Sequence, residues 1–112
     1  MLIKKDQSEK HENSPECSVW EYPFPSKLMS FATAKITGRY PEKGKCTNTE
    51  CEETYFVIEG KGTIHSEKGN FEISEGDVYY FEKGEKYWVE GNLHLTLTNA
   101  PPFDPKQHKY LG

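Results

Sequence analysis

The sequence predicts an all-β fold, an antiparallel sandwich or barrel, centred on the stretch from Glu50 to Gly91. Short apolar runs separated by glycine-containing turns fill this stretch: Thr54–Ile58, Thr63–His65, Phe71–Ile73, Val78–Phe81 and Tyr87–Val89. Runs of this length, rich in Val, Ile, Tyr, Phe and Trp, are typical of small antiparallel β proteins. Apolar residues do not recur at helical spacing, so no helix is expected.

The amino-terminal part of the chain predicts an arm followed by the first strand. Residues 1–16 are polar and charged, and we expect a flexible arm with at most an edge strand at Leu2–Lys4. The alternating segment Cys17–Tyr22 predicts a strand, which Pro23 and Pro25 end because proline cannot donate to a ladder. This strand extends a sheet either in its own subunit or in a partner.

A second strand is predicted at Lys27–Gly38, with one small and mostly apolar face toward the core. The residues on that face are Leu28, Ser30, Ala32, Ala34 and Ile36. The segment Arg39–Asn48 is expected to be a loop, because Pro41 and Gly44 punctuate it.

Glycines are expected to separate the remaining strands. Gly60–Gly62 reads as a turn, and Lys68–Gly69 and Gly91–Asn92 read as two-residue hairpin loops. The segment Leu93–Asn99 alternates strictly, with its leucines on one face, and Pro101–Pro102 then stops the sheet. The barrel is therefore expected to span residues 17–102, with residues 103–112 as a solvated polar tail.

Length and composition favour one domain and exclude some partners. The chain has 112 residues, of which 29% are charged, and its formal net charge is −4, which argues against nucleic acid as a partner. No apolar run approaches membrane-spanning length, and no secretory signal is seen. The three cysteines have no paired spacing, so we expect free thiols and a cytoplasmic location.

Two motifs carry a resemblance to a known family. Six residues separate Glu53 from Gly60, and Gly84 stands eight positions after Gly76, which opens a Gly-Asp pair with Asp77. In this order the motifs resemble the two halves of the cupin signature. The resemblance implies a double-stranded β-helix, a cupin-type jelly-roll barrel that is often dimeric, with a pocket at its mouth that commonly holds a metal. Another small β-sandwich is the alternative fold.

The resemblance implies three histidines and one glutamate as metal ligands, and this chain departs from that set. Glu53 occupies the glutamate position. The paired histidine positions fall on Cys46 and Asn48, or on Thr47 and Thr49 in the other register. The third histidine position holds Tyr87. We therefore expect no bound metal and no other cofactor.

Two functions remain open. In the first, the barrel binds a small molecule through the ligand-binding candidates Asn48, Cys46, Cys51 and His108. Glu53 and Tyr87 are the candidate catalytic pair, because a buried glutamate of raised pKa serves as a base and a tyrosine as an acid. The alternative is a metal-dependent cupin enzyme, isomerase- or dioxygenase-like, with a non-standard ligand set. That set is Cys46, Glu53, Tyr87 and His108.

Among the four histidines we select His108, because a returning tail could fold over the barrel mouth. His11, His65 and His94 are expected at the surface.

A homodimer is expected from the strand Thr54–Ile58. Phe56 and Ile58 lie on the face opposite Tyr55 and Val57, so both faces of this strand are apolar. One face packs in the barrel, and the other is expected to pack against a second subunit. The rival interpretation is that the amino-terminal segment of the same chain covers it.

Overall fold

Nine β-strands form almost all of the regular structure, and the computed structural model describes all 112 residues. The strands are β1 (Glu9–Ser14), β2 (Cys17–Tyr22), β3 (Ser30–Tyr40), β4 (Lys45–Asn48), β5 (Glu52–Ser66), β6 (Gly69–Ser74), β7 (Val78–Phe81), β8 (Tyr87–Ala100) and β9 (His108–Leu111). Two short 3₁₀ turns lie at Lys5–Gln7 and Pro105–Gln107. The all-β prediction is confirmed, and the structure has no helix with the length and hydropathy that crossing a membrane requires.

All strands hydrogen-bond into one curled antiparallel sheet. The order is β1-β2-β3-β8-β4-β9, and β5 pairs with β6, β7 and β8. Curling brings the inward faces of the two long strands β5 and β8 against β3, so that a single core fills the barrel. Ala34 and Ile36 of β3 face this core, as the alternation predicted, and Leu93 and Leu95 of β8 meet them there.

A β-bulge changes which residues of β5 face the barrel. Tyr55 and Val57 point inward near its start, while Ile64 is completely buried nearer its end. The register against β8 shifts between Val57 and Glu59, so Ile58 is an extra residue. One inserted residue moves all later side chains to the opposite face, because strand side chains alternate. The bulge therefore keeps both halves of this long strand in contact with the core.

A row of glycines crosses three neighbouring strands. Gly38 of β3 lies opposite Gly91 of β8, and Gly91 lies opposite Gly62 of β5. A Cβ atom on Gly91 would lie 2.5 Å from the Cα of Gly62 and 2.5 Å from the carbonyl oxygen of Lys61. The backbones of β5 and β8 thus approach too closely for any side chain to fit between them.

Two predicted turns are therefore wrong. Gly60–Gly62 lies inside β5 and Gly91–Asn92 inside β8, and both strands continue through them. These glycines permit close backbone approach where the sheet curls. Glycine is also the usual residue of tight turns, and the sequence alone does not distinguish the two roles. The predicted hairpin after β5 is confirmed, with its turn one residue earlier, at Glu67–Lys68.

The ends of the chain carry more strand than expected. The expected arm contains β1, which pairs with β2, and no strand forms at Leu2–Lys4. Strand β4 lies in the predicted loop Arg39–Asn48, and the expected solvated tail forms β9, which pairs with β4. These three short strands are mostly polar, so their apolar pattern is weak, and their pairing partners determine their conformation. The limits of the barrel at residues 17 and 102 stay a prediction.

The outer face of the barrel exposes an apolar patch. Phe56 and Ile58 are 43% and 38% exposed, and Val78 and Tyr80 lie near Phe56 with 64% and 52% exposure. The amino-terminal segment pairs with β3 rather than covering β5, so the rival interpretation of this face is wrong. The homodimer stays a prediction.

Replacing Gly91 by alanine tests the close approach of β5 and β8. Gly91→Ala should destabilise the fold by about 3 kcal/mol or more, because the new methyl group meets backbone atoms on two sides. Gly84→Ala is the matched control, since Gly84 also has a positive φ (83°) but nothing lies within 4 Å of its Cβ position. Urea unfolding of both variants separates the steric effect from the backbone strain; equal losses of stability would contradict the close approach.

Candidate functional site in the barrel interior

The barrel encloses a cavity of about 120 Å³ at one end. Eighteen residues line it, twelve of them hydrophobic, and the aromatic walls include Tyr55, Tyr87 and Phe103. The polar lining includes Glu53, Asn99 and His108. An apolar cavity of about 150 Å³ holds a benzene molecule, so the enclosed space suits a single ring or a group of similar size.

The Glu53 carboxyl is the central polar group of this cavity. Its Oε2 accepts a hydrogen bond from Asn99 Nδ2 at 3.0 Å, and its Oε1 accepts from Asn48 Nδ2 and from the Tyr87 hydroxyl, both at 3.4 Å. Burial raises the pKa of Glu53 to about 7, and the three hydrogen bonds only partly offset that rise. The carboxyl is therefore able to gain or lose a proton near neutral pH.

The sheet register places Glu53 and its strongest partner. Glu53 lies on β5 directly opposite Asn99 of β8, and on its other side lies Phe81 of β7. Because side chains of directly opposed residues project from the same face, the carboxyl and the amide meet inside the barrel. Both groups stand on paired strands, so their separation is fixed by backbone hydrogen bonds.

The Asn48 amide links Glu53 to the carboxy-terminal strand. Its Oδ1 accepts hydrogen bonds from Gln107 Nε2 at 2.9 Å and from His108 Nδ1 at 2.8 Å. This assignment leaves the Nδ2 group of Asn48 to donate to Glu53. The segment from 105 to 111, expected as a solvated tail, thus orients a donor on the buried carboxyl.

The tautomer of His108 follows from these contacts. Asn48 Oδ1 has only lone pairs to offer, so His108 Nδ1 carries the proton and Nε2 accepts from the Tyr40 hydroxyl at 2.9 Å. Tyr40 then accepts from the Tyr110 hydroxyl at 2.8 Å. Burial lowers the pKa of His108 to about 4, so the ring is neutral at physiological pH. A directed chain of hydrogen bonds thus runs from Tyr110 at the surface to Glu53.

The cysteines and Tyr87 keep their protons. Burial raises the pKa of both Cys17 and Cys46 to about 12, and it also raises the pKa of Cys51. Desolvation raises the pKa of Tyr87 well above its usual value. A thiol without a thiolate fraction is a poor nucleophile, so these cysteines act as small buried hydrophobic residues.

The side chains in the barrel do not fit a resident metal centre. No group of three or more His, Cys, Asp or Glu side chains is close enough to hold an ion, and the substitute set proposed from the sequence does not form one. Both ring nitrogens of His108 are engaged by Asn48 and Tyr40, and the Cys46 thiol keeps its proton. Both oxygens of Glu53 face N–H and O–H donors.

The structure brings three of the six predicted site residues to the cavity wall: Glu53, Tyr87 and His108. Asn48 lies behind Glu53 and positions it, as described above. Cys51 Sγ accepts a hydrogen bond from Asn99 at 3.3 Å, and Cys46 is completely buried opposite Tyr87 in the β4–β8 register.

Sequence reasoning missed Asn99, Tyr40 and Gln107. A signal for Asn99 exists, because it continues the inward leucine face of β8 as a polar residue, and a polar group there must find a partner inside. Tyr40 similarly continues the inward face of β3, beyond the predicted end of that strand. Gln107 has no such pattern, since it precedes a short strand whose burial depends on pairing with β4.

Comparison with known proteins supports the fold. A sequence model of the EutQ-like cupin domain family matches residues 32–98. No curated protein sequence matches the chain significantly.

Several solved structures share the whole fold at low sequence identity. Pac13 from Streptomyces, described as a unique nucleoside dehydratase, is 15% identical with a TM-score of 0.89, and the match covers 99% of this chain and 90% of Pac13. Ectoine synthase from P. lautus is 15% identical with a TM-score of 0.77, over 100% of this chain and 91% of that one. KdgF from Halomonas sp. is 10% identical with a TM-score of 0.79, over 95% and 97%. At these identities the likeness concerns the fold alone.

The raised pKa of Glu53 predicts a loss of stability toward alkaline pH. Between the usual glutamate value of 4.5 and about 7, the folded state holds a proton that the unfolded state has released. Stability should therefore be greatest below pH 4.5 for this group, and about 3 kcal/mol should be lost as the pH rises through 7. Burial lowers the pKa of His108, so its effect on stability increases with pH and opposes that of Glu53. Comparing the natural protein with Glu53→Gln at each pH removes the contribution of His108, which both proteins share.

Urea unfolding across this range measures the effect. Glu53→Gln should gain stability relative to the natural protein as the pH rises, while Glu75→Gln at an exposed position should follow the natural protein. A constant difference between Glu53→Gln and the natural protein at every pH would show that the carboxyl does not titrate in this range.

The hydrogen-bond chain predicts the protonation state of His108. Nitrogen NMR shifts of the ring should show the Nδ1–H tautomer at neutral pH and no protonation down to about pH 5. Tyr40→Phe removes the donor to Nε2 and should destabilise the fold by about 1–3 kcal/mol. Tyr110→Phe, which removes only the outermost hydroxyl, is the matched control and should have a smaller effect. An Nε2–H tautomer would contradict the direction of the chain.

Proposed function

The chain belongs to the EutQ-like cupin domain family, and we propose that its barrel cavity binds a small molecule and that Glu53 transfers a proton to or from that molecule. The observation that carries this proposal is a carboxyl on the cavity wall that is only 6% exposed and has only neutral hydrogen-bond donors, an environment in which burial raises its pKa to about 7. A general base works best when its pKa lies near the operating pH, because both protonation states are then available.

The neighbours of Glu53 suit proton transfer because none of them fixes its charge. Its three hydrogen-bond donors, Asn48, Tyr87 and Asn99, are all neutral groups. An arginine or lysine partner would hold the carboxylate ionised and lower its pKa, whereas a neutral partner leaves the proton exchangeable.

Tyr87 is the second proposed participant. Its hydroxyl lies 3.4 Å from Glu53 Oε1, and it also lines the cavity. A neutral phenol at this position can donate a hydrogen bond to negative charge that develops on the bound molecule when Glu53 removes a proton. We assign Glu53 as the base and Tyr87 as the hydrogen-bond donor, or acid, of the same step.

A dehydration or an isomerisation is the reaction class that these two groups suit. Removal of water needs a base for a proton and an acid for the departing hydroxyl, and a base and a donor suffice to move a proton in an isomerisation. The likeness in fold to Pac13, described as a nucleoside dehydratase, supports the first of these. Several structures of Streptomyces PAC13 are described as complexes of single-residue variants with uridine, so nucleosides are the first compounds to test.

Deuterium exchange tests the proposal without knowledge of the substrate. The protein is incubated in D₂O with a panel of nucleosides, including uridine, and small carbonyl compounds, and NMR follows deuterium incorporation and loss of water. At least one compound should react, and the rate should rise with pH through about 7 as Glu53 ionises. Glu53→Gln should lower this rate by about 100-fold or more.

Exposed Glu59→Gln is the control, and it should leave the rate unchanged. A reaction that is equally fast with Glu53→Gln would remove Glu53 from the chemistry. If nothing in the panel reacts and mass spectrometry of the purified protein under native conditions finds no bound small molecule, the proposed function is wrong.

A further inference from the structure

We infer that the barrel cavity selects an uncharged, ring-sized molecule that donates hydrogen bonds, and that it rejects anions. This inference names the ligand class of the proposed small-molecule site and therefore rests on that proposal. It depends on which hydrogen-bonding atoms and which charges line the cavity.

Around Glu53 and Asn99, the oxygens of these two side chains keep unused lone pairs, while the Tyr87 hydroxyl and the Asn99 amide already donate within the protein. Asn99 is 4% exposed, and its Nδ2 group donates to both Glu53 and Cys51. No protein group donates to Asn99 Oδ1. The only buried side-chain oxygens sealed from solvent without a partner are those of Ser14 and Thr47, so Asn99 Oδ1 opens to the cavity. An acceptor held this deep in the barrel needs a donor from the bound molecule.

Glu53 adds a second acceptor beside Asn99. In its ionised form a carboxylate offers about four lone-pair sites, and its three protein donors do not use all of them. A ligand N–H or O–H group that reaches both Glu53 and Asn99 Oδ1 satisfies two acceptors at once. A carboxylate or phosphate brings only more acceptors to the same place.

No cation is available to compensate an anionic ligand. The lining contains two carboxyl residues, Glu21 and Glu53, but no lysine and no arginine. His108 is neutral, because its Nδ1–H donates to Asn48 and its Nε2 accepts from Tyr40. An anion in the cavity would therefore lose its hydration without gaining a charged partner.

The two basic side chains of β3, Arg39 and Lys35, make their contacts away from the cavity. Arg39 donates to the carbonyl oxygens of Pro41 and Gly44 and stacks 3.9 Å from the Trp88 ring. Lys35 lies 6.0 Å from the Trp20 ring on the outer face of the sheet. Side chains of β3 alternate, so Lys35 points away from the barrel while Ala34 and Ile36 point into it.

The walls fit a flat ring. Tyr55 and Tyr87 stand at 90° to each other with centroids 6.4 Å apart, and Phe103 adds a further aromatic surface. The enclosed volume of about 120 Å³ accommodates one six-membered ring with small substituents. Larger molecules fit only if their remaining part extends through the cavity mouth.

The discrimination against anions depends on the charge of Glu53. The other titratable groups around this carboxyl are Cys17, Cys46, Cys51, Tyr55 and Tyr87, and burial raises the pKa of each, so they are uncharged at neutral pH. Glu21 also lines the cavity, but its side chain is exposed and solvent screens its charge. Ionisation of Glu53 is therefore the main change in charge inside the cavity as the pH rises.

Benzamide and benzoate form a matched pair of probes, equal in shape and different in charge. Protein NMR titration at about pH 8 should show benzamide binding about tenfold or more tightly than benzoate, with shifts at the Asn99 side-chain amide. At about pH 6 the difference should narrow, because Glu53 is then mostly protonated. Benzylamine, the cationic member of the series, should gain affinity as the pH rises.

Glu53→Gln keeps the shape of the cavity and removes its charge, so the preference for benzamide should become independent of pH. Exposed Glu59→Gln is the control and should behave as the natural protein does. If Glu53→Gln does not fold, the pH series on the natural protein decides the same point.

The outcomes separate the inference from the proposed function. Benzoate binding in the cavity as tightly as benzamide would overturn the inference and leave a small-molecule site in place. If none of the three probes shifts Asn99 or Tyr55 at millimolar concentration, the small-molecule site itself is contradicted.

Discussion

The interior of this barrel depends on one desolvated carboxyl. Removing Glu53 from water disfavours its charged form, and three neutral donors restore only part of the lost hydration. Three donors surround this carboxyl: Asn99 and Tyr87 from β8, and Asn48 from β4. Asn48 is oriented in turn by Gln107, in the 3₁₀ turn before β9, and by His108 of β9. Distant parts of the chain thus meet at one side chain, and the acid–base behaviour of the site is inseparable from the closure of the barrel.

The departure from the metal-binding pattern has a physical meaning in this arrangement. The third histidine position of the signature holds Tyr87, and one register of the first motif places a histidine position at Asn48; these two side chains direct an O–H and an N–H toward Glu53. An imidazole nitrogen and a carboxylate both offer lone pairs and can bind the same cation. An N–H or O–H group instead donates a hydrogen bond directly to the carboxylate. The positions where the signature has metal ligands thus hold hydrogen-bond donors to the carboxyl in this chain.

The sequence predicted the fold because two kinds of pattern agree: the spacing of the glutamate and glycine motifs, and the alternation along β2, β3 and β8. It mispredicted the turns at Gly60–Gly62 and Gly91–Asn92 because a glycine needed for close backbone approach has the same appearance in sequence as one needed for a turn. Motif spacing selected Glu53 and Tyr87 as candidates, and both line the cavity. The alternation of β8 places Asn99 on the inward face, but its pairing with Glu53 depends on the register between β5 and β8, which local composition does not give.

The contacts that complete the site join parts of the chain that are far apart in sequence. Asn48 and His108 are separated by 60 positions, and Tyr40 and His108 by 68. During synthesis, β3, β4 and β5 leave the ribosome well before β9, and long-range pairing of this kind forms late. Gln107 and His108 therefore reach Asn48 only after the strands that flank Glu53 have been made, so the donor that Asn48 directs at the buried carboxyl is the last to be oriented.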